Sequence, residues 1–411
     1  MRMNRVAITG AGVISPIGVT LAEFHDALAA GRSGITRLSA QTAAGSGVEV
    51  GATVDWNPLS LVRQNEANSL DRVSQLALGA ASQALTASGL DPGSADRDRI
   101  GVYWGTAMGG ANTLDASHKT VYGNDTWRLR PLTVVMAMTN AAGSNVALRF
   151  GLRGAFANFS TACSSSAIAI GEAMRTIAAG RADAMIAGGS ESLLVPVILA
   201  AWQALRALAP ADRNDAAASC KPFDKRRAGL VLGEGAAAFV LENEAHARAR
   251  GARIHGYVTG YGNTCDATHI SRPDASGQVR AMREALGESG LQPRDIAYIN
   301  AHGTATAIGD AVESQAINAV FGAHTADLWV SSTKSLHGHL LGGAGALELA
   351  VALYALEEGV LAPTGFLEEP DPACELRHVA VKAERIAPPH AVMSNSFAFG
   401  GSNAVLIATR A

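Results

Sequence analysis

Aromatic side chains make up only 5% of this 411-residue chain and charged ones 17%, against 48% hydrophobic residues and 44 glycines. So few rings and so much glycine predict helices and strands packed closely through small residues. The length suffices for one large or two ordinary domains. An excess of one charge is missing too: 33 Lys and Arg oppose 36 Asp and Glu, a net charge of −3, which gives no hint of nucleic acid as a partner. Cysteine is scarce. Cys163, Cys220, Cys265 and Cys374 lie far apart with no CxxC pair, which argues against a disulfide framework or a thiolate zinc site and suits a reducing cytosol. No apolar run approaches the roughly 20 residues that span a bilayer. The N-terminus, MRMNRVAITGAGVISPIGV, superficially imitates a signal peptide. Gly10, Gly12, Pro16 and Gly18 interrupt its apolar run, and no clean A-x-A pattern follows. GAG followed by Ser15 instead of a third glycine is also a poor dinucleotide fingerprint. The expectation is a cytoplasmic enzyme with no membrane segment.

What is present reads as alternating strands and helices. Arg5 to Thr9 reads as a buried strand, GAGVISPIG as a loop, and Thr20 to Ala30 as a helix. Ser69 to Ser88 has helical spacing that Gly89 stops. Ile100 to Gly105 is a strand, residues 109 to 130 an irregular excursion suited to an interface, and Thr133 to Arg149 a small-residue helix. Ala184 to Gly188 and GEGAAAFVLE read as strands, Leu193 to Leu208 as a helical cap, and His246 to Arg253 as a basic linker. The second part repeats this organisation. Strands at Ala297 to Asn300 and Trp329 to Thr333 each open through a glycine-rich loop into a helix, Ala311 to Val320 and Ala346 to Leu356. Strand pieces near Val379, Ala391 and Ala404 close the chain. The pattern predicts an α/β fold with a largely parallel sheet between helical layers, divided into halves at 1–252 and 253–411.

The stretch NFSTACSSSAIAIGEAMRTIAAGR, Asn158 to Arg181, carries the first chemical signal. A strand stops, the backbone turns sharply, and a helix begins at or just after Cys163. Helix N-termini offer unpartnered N–H groups and partial positive charge, which stabilise a thiolate and lower its pKa. A buried cysteine acting as a small hydrophobe is the alternative. Three further glycine-rich loops bear on the choice: NAHGTATAIGD with His302, STKSLHGHLLGGAG with Lys334 and His339, and MSNSFAFGGSNA around Phe399. A lone loop histidine is usually just solvated. A cysteine, two histidines and a lysine, each reactive group in a glycine-rich strand-end loop, are hard to explain structurally.

These loops, in this order from RVAITGAGVISPIG to NSFAFGGSNA, resemble the β-ketoacyl-acyl carrier protein synthases of the KAS I/II type, in the thiolase superfamily. The resemblance implies a five-layer αβαβα fold of two duplicated βαβαβαββ halves, usually dimeric. It also implies a 3-oxoacyl-[acyl-carrier-protein] synthase activity. Cys163 matches the nucleophile that takes an acyl chain as a thioester. His302 and His339 match the pair that promotes malonyl decarboxylation and stabilises the enolate. Lys334 matches the lysine that orders the site from behind, and Glu313 the acid associated with it. The backbone N–H groups of Cys163 and Phe399 match the oxyanion hole, and the Phe399 ring a gate between acyl and malonyl sites. Met108 matches a residue lining the acyl tunnel, and Trp202, also taken as substrate-binding, stands where a smaller aromatic is usual, close to where Phe399 should swing. Thr304 and Thr306 match hydroxyls that hold pantetheine, with loop ordering as an equal alternative.

The resemblance implies no metal and no dissociable cofactor, since the substrate rides on the 4'-phosphopantetheine of an acyl carrier protein. The partners implied are that carrier and a second copy, or a homologous chain-length subunit. The family docks its acidic carrier on several Lys and Arg, of which this chain keeps Arg63 and Arg72, with Arg206, Lys225, Arg226 and Arg227 further on. His337 stands where the family commonly has Thr, and is read as a local substitution. The thinned basic patch, Trp202, RGAFANFSTAC in place of the usual Pro-Ser run and the lack of an acid at Ala228 together suggest a dedicated polyketide, polyene or specialised lipid system over a housekeeping fatty-acid role. Two other classes are weighed. A non-catalytic chain-length partner would lack the nucleophile. A thiolase would need a second cysteine in a matching loop, and a starter-unit enzyme has Asn at the position of His339.

Overall fold

The computed structural model describes residues 4–411. Eleven strands form one sheet: β1 (Val6–Ile14), β2 (Ile100–Gly105), β3 (Phe156–Phe159), β4 (Ala184–Glu191), β5 (Gly235–Asn243), β6 (Gly256–Cys265), β7 (Ile296–Asn300), β8 (Trp329–Ser331), β9 (Arg377–His378), β10 (Ala391–Phe397) and β11 (Ser402–Thr409). From edge to edge they run β9-β8-β7-β10-β11-β6-β1-β5-β4-β2-β3. Numbered within each half, the first five strands and the strands β6, β7, β8, β10 and β11 follow the same 3-2-4-5-1 order, so the duplication is built into the topology. A short antiparallel ladder between Val6–Ile8 and Gly256–Val258 joins the two. Five of the ten ladders are antiparallel and five parallel, so the sheet is mixed where the sequence pattern suggested largely parallel.

The layers follow from which faces are apolar. Helices Ser165–Ala178 and Ala344–Glu358 pack against each other and between the two half-sheets. They are buried nearly all round, as a helix with no polar face must be. Arg72–Ser88 and Ala141–Phe150 cover the outside of the first half-sheet, and Ala275–Ser289 with Ala307–Phe321 the outside of the second. This is the five-layer αβαβα arrangement. Among the described residues no helix is long and apolar enough to cross a membrane.

Several elements differ from the sequence pattern. Strand β1 does not end at Thr9 but continues through Gly10 and Gly12. A Cβ at either glycine would stand 2.2 or 2.1 Å from the carbonyl oxygens of Ala84 or Ala80. These glycines let a strand lie against a helix and do not make a loop. Thr133 to Arg149 is two helices, Thr133–Ala137 and Ala141–Phe150, parted at an extended Met138. The basic linker contains the helix Glu244–Ala249, capped by the Asn243 side chain. Strand β6 and helix Ala275–Ser289 went unread because Gly, Thr and Asn in β6 blur its alternation.

Candidate active site

Strand β3 ends at Phe159 and the central helix starts at Ser165. Between them Ala162–Ser164 makes one tight turn with Ala162 at φ +51°. The serines hold it. Ser165 Oγ donates to the Ala162 carbonyl oxygen at 2.6 Å and accepts from Thr161 N–H at 2.9 Å, so side chains partner the backbone groups that the turn leaves free. Cys163 is thereby fixed at the helix entrance with 5% of its surface exposed.

The expectation of a lowered thiol pKa is overturned here. Burial pushes the Cys163 thiol up to about 12, against the pull of the Lys334 charge and the Phe399 backbone N–H. The helix end favours an anion, but it cannot offset so dry a position. Cys163 rests as a thiol, not a standing thiolate. Alkylation by iodoacetamide is therefore expected to accelerate about tenfold per pH unit between roughly pH 7 and 9. A rate already level near neutral pH would show a preformed thiolate.

His302, His339 and Cys163 converge although they come from separate loops. His339 Nε2 lies 3.0 Å from Cys163 Sγ, and the two imidazoles meet edge to face with ring centroids 5.4 Å apart. Leu341 N–H donates to His339 Nδ1 at 3.3 Å, so the neutral ring carries its hydrogen on Nε2. Lys334 Nζ stands 3.4 Å from His302 Nδ1, which favours the same tautomer there. Burial and the Lys334 charge hold both histidines well below the usual range. The result is two neutral N–H donors beside a thiol. One ligand atom from each of the three residues lies within 4.8 Å of the others, close enough for a metal. The Nε2 hydrogens stand where an ion would need lone pairs, so the site is built to hold developing negative charge.

Lys334 and its carboxylate partner need a correction. Lys334 Nζ donates to the His302 carbonyl oxygen at 2.5 Å and pairs with Glu348, both residues wholly buried. Glu313 instead accepts from His302 N–H and Gly303 N–H, each at 2.8 Å, and from Asn395 at 3.2 Å. It shapes the loop carrying His302. Glu348 was missed, yet it is the one charged residue before the end of the apolar helix AGALELAVALYAL, which was its legible signal.

A cavity of about 330 Å³ reaches Cys163, His302 and His339. Thr304, Thr306, Trp202, Phe399 and Arg206 line it. Thr306 Oγ1 also caps the helix Ala307–Phe321, accepting from Gly309 N–H at 3.2 Å. The Phe399 ring stacks on Trp202 at 5.9 Å and 22°, and Gly400 and Gly401 behind it sit at φ +84° and +75°, where glycine is favoured. Met108 does not join this wall within one chain; its side chain is half-exposed. Nor is Arg72 free to dock anything. Its guanidinium donates to the carbonyl oxygens of Trp56 and Val54 at 2.9 and 3.0 Å and faces Glu234 at 3.8 Å. Arg227 is likewise committed, to Asp371 at 2.5 Å, and Arg226 pairs with Asp224 and Glu368. Arg63, Arg206 and Lys225 are exposed, as is Arg272, which the sequence did not single out and which lines the cavity beside Ile270. His337 is buried with Nδ1 donating to the Gly338 carbonyl oxygen and Nε2 accepting from Thr333, so it turns away from the chemistry.

Comparison with known proteins gives this geometry a family. The Beta-ketoacyl synthase N-terminal domain matches residues 3–247 and its C-terminal domain residues 255–368. The chain belongs to the β-ketoacyl synthase family. It is 41% identical to Nodulation protein E of Rhizobium meliloti over 98% of both chains. It is 38% identical to 3-oxoacyl-[acyl-carrier-protein] synthase 2 of Coxiella burnetii over 100% of this chain and 99% of that one. Among solved structures, the ishigamide ketosynthase/chain length factor matches with a TM-score of 0.93 at 32% identity over the whole of both chains. The family match spans both halves of the β-ketoacyl synthase fold, and all three converging groups lie within the matched residues.

Proposed function

We propose that this chain is a 3-oxoacyl-[acyl-carrier-protein] synthase that lengthens an acyl chain by two carbons. The observation that carries the reading is a buried thiol flanked by two neutral imidazole N–H donors at the end of one cavity. Cys163 Sγ attacks the carrier-bound thioester, forms an acyl–sulfur bond, and the carrier thiol leaves with the proton. A malonyl thioester then enters, its carbon–carbon bond to the carboxylate breaks, and carbon dioxide departs. The electron pair is left as an enolate whose oxygen the Nε2–H groups of His302 and His339 hold. That carbanion attacks the acyl-Cys163 carbonyl, the carbon–sulfur bond breaks, and the released thiolate takes up one proton. The N–H groups of Cys163 and Phe399 serve the acyl oxygen. Lys334 and Glu348 order His302, and Thr304 and Thr306 hold pantetheine. The pantetheine arm belongs to the carrier, and the enzyme needs no cofactor of its own.

The carrier protein docks at the cavity mouth, where exposed Arg206 and Arg272 would meet its acidic residues, with Arg63 as a more distant contact. A second copy or a homologous chain-length subunit covers the apolar surface on which Tyr122, Trp127, Val134 and Leu148 are each more than two-thirds exposed. Strand β3 forms the open sheet edge. The partner would then complete the tunnel wall that Met108 faces. Four free cysteines support a cytoplasmic location.

The test is intact mass after mixing with acyl-carrier proteins of short, long, saturated and unsaturated chains. A single acyl adduct that is lost in Cys163→Ala is expected, and the preferred chain names the pathway. An adduct that forms only with a homologous partner added would make the heterodimer obligatory. No adduct under either condition sinks the reading.

A further inference from the structure

The catalytic sequence above uses neither Glu191 nor the loop it binds. Glu191 is the last residue of β4 and has no exposed surface. One carboxylate oxygen accepts from Thr106 Oγ1 at 3.0 Å and Met108 N–H at 3.4 Å, the other from Ala107 N–H at 2.6 Å and Gly342 N–H at 3.0 Å. It thus ties the loop after β2 to the turn that follows His339. The two backbones press together, since a Cβ on Gly342 would fall 2.3 Å from the Ala107 nitrogen.

The turn needs such a tie. Leu341 sits at φ +43°, a conformation that leucine adopts only under constraint. In that conformation its N–H points at His339 Nδ1. Release of Gly342 would let Leu341 relax toward negative φ and swing its N–H away. The Cys163 sulfur, a weak acceptor 3.0 Å from Nε2, is then what remains to favour that tautomer, while Nδ1 would be free to take the hydrogen. A carboxylate is suited to this place: it accepts on both oxygens from four donors at once, which no neutral side chain does.

We propose that Glu191 is a positioning residue for His339, holding the strained Leu341–Gly342 turn so that the imidazole stays an Nε2–H donor. The inference rests on the proposed synthase activity for its kinetic consequence, though not for the tautomer itself. By linking that turn to the Met108 loop, the carboxylate also gives a surface half-exposed in one chain a route to the donor.

Burial pushes the Glu191 carboxyl up to about 7 while its four hydrogen bonds pull it down. No charged group of the described residues is among the causes acting on it; its own negative charge instead adds to the burial that raises the Cys163 thiol. Above that pH the four-acceptor carboxylate predominates; below it the protonated form gives up an acceptor.

The experiment is Glu191→Gln in the full-length protein, since one face of the amide turns N–H toward N–H. Histidine 15N shifts should show His339 moving from Nε2–H to a mixture of tautomers. Malonyl-carrier decarboxylation should lose about tenfold or more in kcat, part of the ~10²–10³ that a lost oxyanion donor costs, with KM nearly unchanged. Acyl transfer to Cys163 should stay within about threefold, because it needs the thiol and not that donor. The wild-type decarboxylation rate should fall as pH drops through about 7, and the Gln variant should lack that limb. A folded variant with His339 still purely Nε2–H and wild-type half-reactions overturns the proposal. If the variant does not fold, the wild-type profile decides, and its flatness through neutral pH overturns it equally. A wild-type protein showing neither half-reaction would sink the synthase reading while the 15N result still judges Glu191.

Discussion

Cys163→Ala is expected to take no acyl group from any carrier protein and to lower elongation about 10⁴-fold or more, the scale on which losing a covalent nucleophile registers. The variant should fold. The turn at 162–164 is held by Ser164 and Ser165 hydroxyls and not by the thiol. Removing one sulfur from a nearly buried site should cost only about 1 kcal/mol, seen as a small shift in thermal midpoint. Elongation within about tenfold of wild type would place the nucleophile elsewhere, and the structure leaves it no candidate. Cys220 and Cys374 are buried with thiols pushed up to about 12 and about 11. Cys265 is exposed at the end of β6, and none of the three lines the cavity.

The value of that experiment lies in separating position from reactivity. The sequence pointed to a helix-entrance thiolate, and the helix entrance is there. What a sequence cannot weigh is dryness. Cys163 lies among Leu230, Leu232, Leu341 and Leu193 in one apolar cluster, and their combined desolvation outweighs the helix end. The thiol therefore has to shed its proton as substrate arrives, with the Phe399 N–H and the Lys334 charge favouring the anion from either side.

Legibility followed the same division throughout. The order of the glycine-rich loops and the family resemblance they carry were enough to bring Cys163, His302, His339 and Lys334 to one place, although the strand before Cys163, Phe156–Phe159, is exposed or half-buried along its length. Partners contributed by helices were not. Glu348 enters from Ala344–Glu358, and Glu313 turned out to serve backbone N–H groups instead of the lysine. Nothing in GDAVES says which neighbour its carboxylate will face. Arg72 shows the opposite limit. Its charge was visible in the sequence, but its commitment to Val54, Trp56 and Glu234 depends on a fold of the 54–56 segment that no periodicity announces. Met108 reads as a tunnel residue, yet within one chain it is half-exposed and lies outside the cavity.

His339→Asn is the second large effect. The Asn amide ends nearer the backbone than the imidazole Nε2, so its N–H falls short of the position now 3.0 Å from Cys163 Sγ. Its Oδ1 can stand in for Nδ1 as the acceptor of Leu341 N–H, so the change removes the donor and leaves the turn its partner. Malonyl-carrier decarboxylation should fall about 10²–10³-fold, as when one oxyanion donor is removed, while the acyl adduct on Cys163 still forms. Decarboxylation at an undiminished rate would sink the assignment of His339. The pH dependence sharpens the test. Burial and the Lys334 charge keep both imidazoles neutral far below physiological pH, so protonating them requires acid well outside the working range. Neither histidine should then shape the rate near neutral pH. His302→Asn should therefore lower decarboxylation at every pH without removing the acid limb assigned to Glu191. A limb near pH 7 that disappeared with His302 would belong to an imidazole, and the neutral-donor account of both histidines would fall with it.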